Sequence, residues 1–174
     1  EAEASYTRAI NFKPDYTKAY SNLGVTQQEL GKLEEAQTSY LKAIALKPDY
    51  FEAYSNLGVT LSKMGKLEEA EASYSQAIAL KPNYAEAFYN RSQLYFDKEQ
   101  YALALRDADA CNSKEAKVLS LIALYKLGRI DEVYQRIDIQ SKVNGEDISI
   151  AAFASFISQK EKKITAYNFC PNPL

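Results

Sequence analysis

Residues 17–50, TKAYSNLGVTQQELGKLEEAQTSYLKAIALKPDY, align without a gap on residues 51–84, FEAYSNLGVTLSKMGKLEEAEASYSQAIALKPNY. The shared blocks YSNLGVT and GKLEEA set Tyr20 and Tyr54, Gly31 and Gly65, and Pro48 and Pro82 at one common period of 34. A fixed period of this length marks a stacked architecture, because one unit is too small to bury its own apolar face and does so against its neighbours.

Within the unit, Tyr20, Leu23, Gln27 and Leu30 recur at three- and four-residue spacing, as one face of a helix does. Leu33, Ala36, Tyr40 and Ala43 repeat the pattern in a second helix. Gly24 and the alanines are small where two helices approach closely, and the tyrosines fill the space beside them. Gly31 allows a tight turn between the helices, and Pro48 ends the second one. Glu34-Glu35 and Glu68-Glu69 fall near helix starts, where negative charge meets the positive end of the dipole.

The unit resembles the tetratricopeptide repeat (TPR) family. The likeness is carried by Tyr20, Leu23, Gly24, Ala36, Tyr40, Ala43 and Pro48, and again by Tyr54, Leu57, Gly58, Ala70, Tyr74, Ala77 and Pro82, with tyrosine standing in for the usual tryptophan. The resemblance implies an all-α solenoid, a right-handed superhelix of antiparallel helical hairpins.

The sequence divides as one such domain. Residues 1–16, EAEASYTRAINFKPDY, match the second helix of a repeat whose first helix is missing, which suggests self-association through that truncated N-terminal end. Full repeats follow at 17–50 and 51–84. Residues 85–112 form a divergent repeat in which Arg91-Ser92 replace Leu-Gly and no proline closes the unit. The interval from Glu99 to Gly128 is 29 instead of 34, so the second helix of this unit is expected to be about a turn shorter. Residues 113–143 read as a degenerate hairpin with Leu121 at the glycine site and Val133 at an alanine site. Within 144–174, a helix over 148–161 should cap the stack, followed by a non-helical tail.

The chain has 174 residues, 47% of them apolar and 25% charged, and its net charge of -2 offers no footprint for nucleic acid or anionic lipid. No uncharged apolar run reaches the length of a membrane span. Histidine is absent, which removes the commonest general base and zinc ligand, and Cys111 and Cys170 form no metal or disulfide framework. No cofactor, no metal and no catalytic residue is expected in these residues, and a reducing, cytoplasmic setting fits.

In a TPR stack the first helices line the concave face. Lys18, Ser21, Asn22, Val25, Gln28 and Glu29, then Glu52, Ser55, Asn56, Val59, Ser62 and Lys63, then Glu86, Tyr89, Asn90, Gln93, Phe96 and Asp97 fall off the packed stripes and are expected to form a groove. Asn22, Asn56 and Asn90 make a ladder of period 34 that resembles the asparagine ladder of the O-GlcNAc transferase superhelix. An asparagine amide both donates and accepts, so it can pair with peptide backbone whatever the side chain. Chaperone-binding TPR domains instead carry a carboxylate clamp, and the matching positions here are Ser21, Val25, Asn56, Glu86 and Arg91, of which only Asn56 fits. The expected role is a protein-interaction scaffold for an extended peptide. A second reading is the targeting arm of a larger enzyme, since the tail YNFCPNPL resembles bacterial TPR proteins with a 2-oxoglutarate/iron oxygenase domain.

Overall fold

The computed structural model describes residues 1–111 and 113–144, and among them it contains nine α-helices and no strand. In chain order these are α1 (Ala2–Phe12), α2 (Thr17–Glu29), α3 (Leu33–Leu46), α4 (Phe51–Lys63), α5 (Leu67–Leu80), α6 (Ala85–Asp97), α7 (Tyr101–Asp109), α8 (Lys114–Lys126) and α9 (Ile130–Asn144). The expected capping helix at 148–161, the tail and Cys170 lie outside the described residues.

Each helix packs on the one before it and the one after it. The first helices of successive hairpins, α2, α4, α6 and α8, also touch one another in series, while no comparable contact joins α3 to α5 or α5 to α7. Elements that crowd on one side and splay on the other describe a curved stack with α2, α4, α6 and α8 on the inner wall.

The turns follow the glycine rule. Gly31, Gly65 and Gly128 have φ of 74°, 76° and 73°, and Glu99, at the same point of the third unit, takes φ 57°. A side chain there costs roughly 1–2 kcal/mol. The third unit does have the shorter second helix expected from spacing, with 9 residues in α7 against 14 in α3 and α5.

Packing between the helices turns on one pair per unit. A Cβ on Gly24 would lie 2.8 Å from the Tyr40 ring, and on Gly58 2.6 Å from that of Tyr74, so both tyrosines lie directly on a glycine. Tyr40 is fully buried and Tyr74 nearly so, beside Ala36, Ala43, Ala70 and Ala77, which are wholly enclosed. In the third unit, one period further on, the pair is Ser92 with Ala108, both buried. In the fourth, after the shortened interval, it is Leu121 with Ile137. Tyrosine is present where the facing residue has no Cβ and absent where it has one, as constant interhelical volume requires.

Leu30 departs from the expected stripe. It is the C-cap of α2 and 59% exposed, because the helix ends before its side chain reaches α3. The tyrosine after each proline sits at a helix N-cap, and Tyr84 meets Phe51 edge-on at 4.9 Å with the Lys81 ammonium 4.4 Å from the Phe51 ring.

Arg91 explains how the divergent unit holds together. Standing where Leu23 and Leu57 stand in the other units, its guanidinium grips Asp107 of α7 through Nε at 2.6 Å and Nη2 at 3.1 Å, and reaches Ser75 of α5 at 2.8 Å. The Asp107 carboxylate is 1% exposed and also accepts from Arg106. An apolar contact between helices has been exchanged for a buried, doubly bonded ion pair.

Candidate functional site

The inner wall is built from one face of α2, α4, α6 and α8. On α2, Lys18 and Asn22 are exposed and Val25 is 36% exposed. On α4, Asn56 and Val59 are half-buried and Lys63 is exposed; on α6, Tyr89, Asn90 and Phe96 are half-buried and Gln93 is exposed. The amide of each of the three asparagines lies outside the hydrogen-bond network of the described residues. Their main chains are occupied: the Asn22 carbonyl accepts from Thr26 and that of Asn56 from Thr60.

Two of the expected groove residues lie elsewhere. Ser21 is 4% exposed and Ser55 fully buried, so neither presents a surface to a ligand. Each is one residue before an asparagine, and about 100° around the helix that single step is enough to turn a small side chain into the packing between units. Phe96 is partly spent as well: it stacks edge-on against Tyr101 at 5.2 Å and packs on both core clusters. Gln93 donates to the Tyr89 hydroxyl at 3.1 Å, which orders that pair on the groove side of α6.

The positions of a carboxylate clamp are occupied by other chemistry. Arg91 is committed to Asp107, and Glu86 accepts from the Tyr84 hydroxyl at 2.6 Å. Burial and this bond to Glu86 push the Tyr84 phenol well above its ordinary range.

Among the described residues, open clefts indent the wall at two of the intervals between its helices. One of about 320 Å³ lies between α4 and α6 and brings together Val59, Ser62, Lys63, Asn90, Gln93, Phe96 and Asp97 from the expected set, with Tyr74. The other, of about 400 Å³, lies between α6 and α8 and is lined by Tyr89, Lys114, Val118, Leu119 and Ile122. Sequence reading missed the α8 contribution. The signal was present, since Leu119 stands as far beyond Asn90 as Gly128 stands beyond Glu99.

Titratable groups away from the wall are structural. Cys111 is buried, its thiol lies 3.2 Å from the Ala85 carbonyl, and burial pushes it up to about 11, which leaves it an unreactive thiol at neutral pH. Among the described residues no group of three or more Asp, Glu, Cys or His could hold a metal ion, and no helix is long and apolar enough to cross a membrane.

Helical hairpins stacked in series, with an open inner wall, define an α-helical solenoid. Sequence profiles of the tetratricopeptide repeat match residues 5–38 and 51–84, and one described as TPR repeat matches 28–65. Tetratricopeptide repeats thus cover residues 5–84 of the chain. No curated protein sequence matches it.

Among solved structures, the crystal structure of MamA shares 21% identity at a TM-score of 0.72, over 94% of this chain and 89% of that one. YrrB, described as a TPR protein with an unusual peptide-binding site, shares 24% identity at 0.71, over 83% of this chain and 76% of that one. The first TPR of Spaghetti (RPAP3), bound to the HSP90 peptide SRMEEVD, shares 21% at 0.62, over 64% and 93%. At these identities the likeness is one of fold.

Proposed function

We propose that the inner wall of this solenoid holds an extended peptide segment of a partner protein, with Asn22, Asn56 and Asn90 reading its backbone. The observation that carries this is the ladder itself: three amides at one repeat position, on three neighbouring helices, outside the hydrogen-bond network of the described residues. Helices packed about 8–10 Å apart present such amides at intervals of roughly three residues of extended chain, which rises about 3.3 Å per residue. Lys18, Val25, Val59, Lys63, Tyr89, Gln93 and Phe96 would contact ligand side chains. The peptide-binding descriptions of YrrB and the RPAP3 repeat support the same class of ligand.

The test uses a phage-displayed library of random short peptides, selected on the wild-type protein. Replacing Asn22, Asn56 and Asn90 together by alanine removes groove hydrogen bonds worth about 0.5–1.5 kcal/mol each. Affinity for the selected peptides should fall by roughly one to three decades. The melting temperature should hold or rise, because alanine is the better helix former. A triple variant that melts early, or that binds the peptides unchanged, would overturn the reading.

A further inference from the structure

One position of the repeat borders the inner wall in each unit. It is held by Gln28 in α2, Ser62 in α4, Phe96 in α6 and Tyr125 in α8, at the same repeat offsets that relate the turn residues Gly31, Gly65, Glu99 and Gly128. Gln28 spans the gap to α4, where its Oε1 accepts from the Thr60 hydroxyl at 2.8 Å. Phe96 turns its ring edge-on to Tyr101 of α7, within its own hairpin, and the interval between α6 and α8 keeps the cleft of about 400 Å³. Ser62 is the shortest of the four and faces the cleft of about 320 Å³ between α4 and α6. Between α2 and α4 the long Gln28 side chain crosses the interval, whereas between α4 and α6 the short Ser62 leaves it open.

The walls say what it would accept. Val59, Phe96 and Leu119 supply apolar surface from three helices, and Asn90 and Gln93 stand beside them. Leu119 occupies the asparagine position of α8, so the polar ladder stops where the apolar wall begins. Lys63 and Asp97 also line the cleft, both exposed and neither ion-paired among the described residues. A charge of either sign on an entering side chain would meet one attraction and one repulsion, and would lose hydration against the apolar wall.

We propose that the Ser62 cleft is a specificity pocket for a neutral, apolar side chain of leucine or methionine size, next to the stretch of peptide backbone held by the asparagines. This rests on the groove reading and adds which residue of the peptide is selected. Ser62 sets the selection through its size, and Leu119 through the wall it provides.

The same phage-displayed library tests it. Selection on the wild-type protein should return peptides with leucine or methionine at one fixed position, and changing that residue to glycine should weaken binding roughly ten- to hundredfold. In Ser62→Gln the glutamine fills the pocket, as Gln28 does one unit earlier, and that difference should vanish while the glycine peptide binds as before. Leu119→Asn should shrink the difference too, should Ser62→Gln fail to fold. Gln28→Ser should open a further pocket between α2 and α4 and add another apolar position to the selected sequences; Thr60 tolerates the loss, since its hydroxyl also lies 3.0 Å from the Asn56 carbonyl. Selected peptides without a preferred apolar position, or a preference that survives in folded Ser62→Gln and Leu119→Asn, would overturn the pocket and leave the groove standing. If selection returns no binding peptide, the groove reading falls and the pocket falls with it.

Discussion

Gly58→Ala sets two terms of opposite sign against each other. Alanine in place of a helix-interior glycine stabilises by up to about 1 kcal/mol. The new Cβ, however, would lie 2.6 Å from Cε1, 2.7 Å from Cδ1 and 3.0 Å from Cζ of Tyr74. That ring is 3% exposed and borders the cleft between α4 and α6, so the clash is relieved either by a shift of the ring toward the cleft or by separation of α4 and α5. Overpacking of this kind costs about 1–3 kcal/mol, and the rigid ring places it toward the upper end. The expected net loss is about 1–2 kcal/mol. Tyr74→Ala alone should cost about 3–5 kcal/mol through the cavity it leaves. In the double variant the clash has no partner, so the pair should be less destabilised than the sum of the singles by about 1–3 kcal/mol. The third unit, with Ser92 facing Ala108, already carries such a combination. Urea titrations followed by far-UV circular dichroism, with slopes compared across variants because stacked repeats can lose all-or-none unfolding, give the four stabilities. A Gly58→Ala protein as stable as wild type, or additivity within about 0.5 kcal/mol, would refute the argument.

Asp107→Asn should lower stability by about 3–5 kcal/mol, because it leaves the Arg91 guanidinium, 11% exposed, without its buried counter-charge; a change below about 1 kcal/mol in the same titration would show the pair to be replaceable. Stability should also fall with alkali. Burial raises the phenols of Tyr40, Tyr74 and Tyr84 above their ordinary value of 10.0, and the Cys111 thiol from 9.0 to about 11. Above pH 9 the unfolded chain therefore binds fewer protons than the folded one, and stability is lost as pH rises. These four groups contribute their full stability below pH 9 and progressively less above it, so melting temperatures measured from pH 8 to 11 should be level at first and then drop. A level curve throughout would contradict the burial of these groups.

The 34-residue period was enough to establish the fold, because each hairpin is built from local instructions: three- and four-residue spacing for the helices, Gly31 and Gly65 for the turns, Pro48 and Pro82 for the ends. Even the shortening of α7 was countable from the spacing of Glu99 and Gly128. The asparagine ladder was visible for the same reason, since periodic positions share one environment.

Where the environment depends on what stands opposite, the sequence was silent. Ser21 and Ser55 look like surface residues beside the asparagines, yet the neighbouring unit covers them. Arg91 reads only as a departure from the leucine of the other units until α7 brings Asp107 within 2.6 Å, and Phe96 reads as a free aromatic until Tyr101 meets its edge. The cleft at Ser62 appears in no motif, because it is a missing volume between helices that belong to different repeats. Periodicity alone determined which helices form and in what order they stack. Burial, pairing and empty space are properties of two elements at once, and only their packing in three dimensions decided them.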